Sequence, residues 1–335
     1  YLITFLQRIL EARSQIRLAQ EDLNGLFHNR RINIIGACLF IGLLPSAASM
    51  LLCAELVKNA TDGYLESKEQ AFVSSWFRHI PESVLPTYTA VLLMLSLSGV
   101  ETAKFMMGMI PPVLFLGMLG YFFYLRRVPT TVDTPKSADR FADLLHLLGH
   151  LWSLILILVL ILAFHFEVVT AVLISIVLSI FVYHVTAQEL KQFVFSAFEK
   201  KMLGNTFLVL ILKEFLSFTG VLPQLPDALA KLSLPTYLIF GLLFFLATII
   251  SGSTAAIAMG TPLAFAAIPG GAPLMVYLMC MAHAASQLSP THVCLVVASD
   301  YFHITLGDLV RKTIPISLAF CVLVTIYYNI LLLFF

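Results

Sequence analysis

Apolar residues run through this chain in long blocks, and the interruptions are as informative as the blocks. Segments 144–164, 168–186 and 314–335 approach the ~20 apolar residues that a spanning helix needs, and they predict membrane helices. Segments 237–249 and 257–268 flank Ile250-Ser251-Gly252-Ser253-Thr254-Ala255-Ala256, and each flank is too short to cross alone. This predicts a re-entrant hairpin over 237–268, with two half-helices meeting at a polar tip. Segment 34–57, broken by Pro45-Ser46-Ala47-Ala48-Ser49, predicts a second hairpin. Segments 81–100 and 273–301 read as broken helices, the first interrupted by Pro81 and Pro86, the second at Ser286-Gln287-Leu288-Ser289-Pro290-Thr291-His292. Pro111-Pro112 sits inside segment 105–125, where proline is expected to bend or break the helix. Residues 1–6 read as the end of a spanning helix. Segments 8–33 and 188–201 read as amphipathic interfacial pieces, 59–79 as a polar loop and 126–140 as a polar linker.

The halves of the chain are related. A shift of 205 places Gly36 on Gly241, Ser46 on Ser251 and Ser49 on Thr254; a shift of 204 places Pro86-Thr87 on Pro290-Thr291, Pro111 on Pro315 and Tyr124 on Tyr328. Elements recurring in one order at nearly one offset are the sign of an internal duplication. The expected organisation is repeat 1 over 1–125, a cytoplasmic linker over 126–140 and repeat 2 over 141–335. Spans 144–164 and 168–186 have no counterpart in repeat 1, and the chain starts at Tyr1 inside an apolar run, so about 60 residues are expected to precede it.

Composition agrees with a polytopic all-α membrane protein: 59% of the 335 residues are hydrophobic and 12% are charged. The net charge of +1 points to no polyanionic partner such as nucleic acid. Cys38, Cys53, Cys280, Cys294 and Cys321 stand singly, a spacing that predicts neither a metal site nor a disulfide framework. Threading the loops through the expected hairpins puts Lys104 and Lys231 on one face and Lys213 inside a helix. The other basic residues, Lys68, Arg78, Arg126, Arg127, Arg311 and Lys312 among them, fall on the opposite face. That bias makes the basic face cytoplasmic and puts the C-terminus outside. It also inverts the two repeats, so the expected fold is two inverted-topology repeats, each with a re-entrant hairpin and a broken transmembrane helix, as in secondary transporters.

The candidate chemistry sits at the breaks. Half-helix N-termini carry positive partial charge and free amides, so hairpin tips and helix breaks facing each other can cradle an anion. The hydroxyls of Ser46, Ser49, Thr87, Ser251, Ser253, Thr254, Ser289 and Thr291 add neutral donors, and His292 can donate to an anion or take a coupling proton. Carbonyls exposed near Ala47, Gly252, Pro86 and Pro290 could hold Na⁺. Each feature has a plainer alternative: Gly252 and Ser253 as close-packing residues, the prolines as ordinary kinks, and His292 as a neutral bundle histidine. His283 and His303 read as structural. Lys213 and Glu214 lie in an apolar run where charges must pair or face water; Lys213 either touches an anionic substrate or braces helices. No nucleotide-binding loop is present, and no organic cofactor is expected.

At Leu44-Pro45-Ser46-Ala47-Ala48-Ser49, Trp76-Phe77-Arg78-His79-Ile80-Pro81-Glu82 and Leu288-Ser289-Pro290-Thr291-His292 the chain resembles the ion-transporter superfamily. That group includes citrate, gluconate, dicarboxylate and arsenite permeases, and the chain is most similar to an uncharacterised prokaryotic branch, domain of unknown function 401. The resemblance implies a dimeric scaffold and a transport domain that moves as an elevator. It also implies Ser-Asn-Thr hairpin tips that bind carboxylate and Na⁺; here the tips lack the Asn. The expected function is secondary transport of a small organic anion coupled to Na⁺ or H⁺, by a homodimer in a prokaryotic inner membrane, and not an enzyme. The alternatives are a non-transporting membrane subunit or channel, or an intramembrane serine hydrolase using Ser251 or Ser253 with His283 or His292.

Overall fold

A computed structural model describes residues 1–15, 18–19, 22, 29–43, 47–131, 140–198, 211, 218 and 234–333, side chains 47–49 and 140 excepted. Ser46, Lys213, Glu214 and the side chains of Ala47 and Ser49 therefore lie outside the described residues. The described chain is all helical. In order the helices are α1 (Leu2–Ala12), α2 (Arg30–Ile41), α3 (Ala47–Thr61), α4 (Ser67–His79), α5 (Thr89–Ser98), α6 (Thr102–Phe123), α7 (Arg140–Leu162), α8 (Val168–Val182), α9 (Ala187–Ser196), α10 (Thr236–Ser251), α11 (Ser253–Ala267), α12 (Gly271–Ser286), α13 (Val293–Tyr301) and α14 (Leu306–Leu331). Three stretches, Thr102–Phe123, Phe141–Leu162 and Leu306–Leu331, are long and apolar enough to cross a bilayer. With the shorter apolar helices beside them, they make this a multi-helix membrane protein.

Contacts divide the chain into two compact units, neither of which follows the halves of the sequence. Residues Tyr1–Leu44 and Val128–Asn205 form the first, and Pro45–Arg127 and Thr206–Phe335 the second. In the first unit α8 buries Ala171, Val172, Ser175, Ile176 and Ser179, a stripe at helical spacing, and packs against α1 and α7. Ser175 donates to the Ser153 carbonyl of α7 at 3.0 Å. Helix α1 continues past the expected end at Leu6 to Ala12, because Ile9 and Leu10 extend its buried face. Just beyond it Arg13 meets Glu189 of α9 at 2.8 Å.

The second unit is built round two buried helices. Helix α12 is buried from Pro273 to Ala285, apolar on every side, as a core helix must be. Helix α4 is buried from Glu69 to His79, which corrects the expected polar loop over 59–79. Its polar residues lowered the apparent hydropathy, but several of them find partners inside. Glu69 meets Arg127 at 2.8 Å and Lys312 at 3.1 Å, and the Trp76 indole donates to the Leu116 carbonyl at 2.9 Å. Arg78 is likewise not a surface loop residue: it lies ten residues beyond Lys68, about 15 Å along the helix, and is 1% exposed. Helix α6 passes unbroken through Pro111-Pro112, as α14 does through Pro315. The kink expected to interrupt segment 105–125 is thus absorbed inside one helix.

Candidate functional site: three helix starts around a buried arginine

Helix α10 ends at Ser251 and α11 begins at Ser253, with Gly252 between them at φ +85° and ψ 158°, a region essentially closed to other residues. A Cβ on Gly260 would meet the Phe244 ring at 2.5 Å. Phe244 and Gly260, eight residues before and eight after Gly252, are thus in close contact. The break after α12 is fastened to this tip. Ser289 Oγ donates to the Ile249 carbonyl at 2.8 Å and lies 2.8 Å from Thr291 Oγ1. A third break follows α4, where a 3-10 turn over Ile80–Ser83 and a loop through Pro86 lead to Tyr88 and α5.

These three interruptions surround a cavity of about 410 Å³. The first residues of α5 (Thr89, Ala90), of α11 (Ser253, Thr254) and of α13 (Val293, Cys294) all line it, so three helix N-termini open onto one space. Their N-cap residues, Tyr88, Gly252 and His292, supply no side-chain capping bond. The N-terminal amides and partial positive charge of all three therefore add at the cavity. By contrast α9 and α14 are capped by Thr186 and Thr305 in reciprocal boxes. Arg78 contributes a full positive charge to the same wall and donates to Glu82, one turn on, at 3.1 Å. His283 and Ser286 of α12 complete the polar lining.

The expected site residues divide into groups. Ser253 and Thr254 line the cavity. Ser289 and Thr291 hold the break against the α10 tip instead, and Ser251 turns its hydroxyl back to the Ala247 carbonyl at 2.8 Å and is exposed. His292 donates from Nδ1 to the Ser286 carbonyl at 3.0 Å, and its ring packs on His79 with centroids 4.5 Å apart. Thr87 is half-buried in the break after α4, outside the residues lining the cavity; Pro86 is buried and Pro290 exposed. Gly252 occupies the tip itself.

Sequence reasoning missed Arg78, Glu82, Tyr88, Thr89 and Cys294, and took His283 as structural although it lines the cavity. A signal was present. His79 and His283 stand 204 residues apart, the spacing of Pro86 and Pro290, and Arg78 and Glu82 are one helical turn apart in a stretch that already carries Trp76 and Phe77.

No curated protein is significantly similar to the chain. Over residues 1–331 it matches the family described as "Protein of unknown function (DUF401)", and it belongs to that family.

Proposed function

We propose that the protein is a secondary transporter of a small organic anion, with the cavity beside Arg78 as the substrate site. One observation carries this reading: a buried guanidinium and three uncapped helix N-termini converge on one cavity within a membrane protein. Such a space favours a carboxylate-sized anion, and Ser253, Thr254 and Thr89 can orient it by neutral hydrogen bonds. Glu82 is the natural coupling group. It accepts from Arg78 at 3.1 Å, so a substrate carboxylate entering the cavity would compete with it for the guanidinium, an exchange that would suit H⁺ as the coupling ion. Carbonyls near Gly252 and Pro290 keep Na⁺ as the other candidate ion.

The inverted-repeat reading, with re-entrant hairpins and broken helices, draws support from the helix starts. Arg30 and Thr236, Ala47 and Ser253, Ser67 and Gly271, Thr89 and Val293, and Thr102 and Leu306 are spaced by 206, 206, 204, 204 and 204 residues. The unit that contains the cavity draws on both halves of the chain, as a transport domain placed at a repeat interface does. The resemblance to the ion-transporter superfamily adds an elevator movement against a dimeric scaffold. Lys68, Arg127 and Lys312 cluster round Glu69 and Asp308 at one end of this unit. A basic end of this kind supports the assignment of that face to the cytoplasm of a prokaryotic inner membrane.

Thermal unfolding of the purified protein against a panel of carboxylates and oxyanions, in NaCl or KCl at pH 6 and pH 8, tests the reading. A true ligand at about 100 times its dissociation constant stabilises by ~2.7 kcal/mol. That gain should vanish in Ser253→Ala combined with Thr254→Val. A panel in which no anion raises the midpoint would count against an anion site. One further reading has an observation behind it: Ser253 and His283 line the same cavity, as an intramembrane hydrolase would require. Labelling of Ser253 by a fluorophosphonate would favour that reading, and no labelling would remove it.

A further inference from the structure

The histidines beside this cavity form a second constellation that the anion reading does not use. His79 at the end of α4, His292 at the N-cap of α13 and Cys294 in the first turn of α13 offer ligand atoms that all lie within 4.8 Å of one another. We propose that His79, His292 and Cys294 bind a divalent transition-metal ion of borderline softness, Zn²⁺ or a close relative, with a fourth position open to Glu82 or to a cavity molecule.

Three observations carry this. Each histidine donates Nδ1–H to a backbone carbonyl, His79 to Ser75 at 2.6 Å and His292 to Ser286 at 3.0 Å. This fixes both rings in the tautomer whose Nε2 lone pair is available, and it is the outer-shell arrangement that metal-ligating histidines use. Next, His79 Nε2 is buried with no hydrogen-bond partner, on a side chain 0% exposed. A lone pair in that setting wants a donor or a cation. Finally, Glu82 Oε1 lies 3.8 Å from the same Nε2 and supplies a charge-compensating oxygen beside it. A tetrahedral Zn²⁺ with bonds of ~2.0 Å to nitrogen and ~2.3 Å to sulfur spaces its donors about 3.3–3.7 Å apart. No pair of donors therefore has to approach by more than about 1.5 Å. Two imidazoles and a thiolate suit Zn²⁺, Co²⁺ or Ni²⁺ and disfavour Mg²⁺ or Ca²⁺. The isolated cysteines gave no hint of this, because the ligands come from two helices far apart in sequence.

The site borders the cavity of the transport reading and shares Glu82 and Cys294 with its wall, so its test uses the metal alone and no organic anion, and failure of one reading is distinguishable from failure of the other. The full chain, purified without a polyhistidine tag, is titrated with Co²⁺ and then with Zn²⁺. The expected result is one equivalent of Co²⁺ with a thiolate-to-metal charge-transfer band, displaced by Zn²⁺. The band should disappear in Cys294→Ser, and affinity should fall in His292→Gln by more than the ~10–100-fold that loss of an outer-shell partner costs. Because variants can misfold, the wild-type protein provides a second readout. Cys294 is half-exposed while Cys38, Cys53, Cys280 and Cys321 are buried, so alkylation at Cys294 can be followed alone by peptide mass spectrometry. Zn²⁺ should slow that alkylation, and Mg²⁺ should not. An unchanged alkylation rate with Zn²⁺, or a charge-transfer band that survives Cys294→Ser, overturns the proposal.

Discussion

The two ends of α4 carry ion pairs of opposite character. At its start Glu69, 5% exposed, accepts from Arg127 of the turn after α6 and from Lys312 of α14, while Lys68 pairs with Asp308 at 2.7 Å. Burial alone would favour the neutral form of Glu69, but the hydrogen bonds from Arg127 and Lys312 outweigh it and hold its carboxyl below the usual range. Every one of these charges joins different elements of the second unit. At the other end Arg78 pairs with Glu82, four residues away, and both face a cavity. That pair is local in sequence and spans only the turn over Ile80–Ser83. The ion pairs at the two ends of one helix thus differ in what they adjoin: the first links α4 to α14 and to the turn after α6, and the second borders the cavity.

The comparison breaks most visibly at Arg78. Arg78→Met takes the guanidinium away from the Glu82 carboxylate and should cost about 3 kcal/mol, the low end for a broken buried pair because Glu82 keeps 23% exposure. Any anion-dependent stabilisation should vanish with it. Adding Glu82→Leu should restore most of the stability and none of the anion response. Recovery of both in the double variant would show that Arg78 is structural like Glu69. Glu69→Gln should lose about 2 kcal/mol, the value of charge-assisted bonds from Arg127 and Lys312, and keep the anion response intact. Both are read from denaturation midpoints with and without ligand.

A smaller effect sharpens the picture at the tip. Gly252→Ala forces a Cβ onto backbone at φ +85° and ψ 158°, a strain on the order of 1–2 kcal/mol. Its Cβ would find only Thr291 Oγ1, at an ordinary 3.5 Å, so the cost is conformational and not steric. The prediction is a modest fall in midpoint with a larger loss of anion affinity, because the first amides of α11 are re-aimed. Equal loss of both would mean the tip serves stability alone.

Much of this was legible in the pattern of apolar blocks. The breaks at Gly252 and over 287–292, the helices over 140–162 and 168–182, and the short amphipathic α9 follow from apolar periodicity, small residues and proline. What the pattern concealed was α4. A helix whose buried face carries Glu69, Gln70, Ser74, Ser75, Arg78 and His79 has the composition of a loop, and only the partners supplied from α14 and from the turns that follow α4 and α6 reveal why it is inside. The site was half visible for the same reason. Hydroxyls at a glycine break announce themselves, whereas a buried arginine in a charged stretch looks like solvent-facing sequence until its surroundings are known.

The mildest test concerns an ion pair that lies at a surface, in the first unit. Glu189 accepts from Arg13 at 2.8 Å and 3.1 Å and from the Thr186 amide and hydroxyl, and these bonds hold its carboxyl down from the usual 4.5 to about 2. A carboxyl depressed in the folded state contributes stability that is present above pH 4.5 and lost as pH falls toward 2. The Arg13 guanidinium also donates to the Tyr183 carbonyl, and the Tyr183 hydroxyl accepts from the Trp152 indole at 2.9 Å. Emission from Trp152, in a Trp76→Phe background, therefore reports on this corner. The wild-type emission should change between pH 4.5 and 2 and that of Glu189→Gln should not, with only a small shift in overall stability because the pair is solvated. The same acid response in both proteins would assign the change to another group, and would leave the Arg13–Glu189 pair as geometry without consequence. The size of the effect matters to the comparison with α4, because this pair has no fully buried member and should weigh less than the pairs made by buried Glu69 and Arg78.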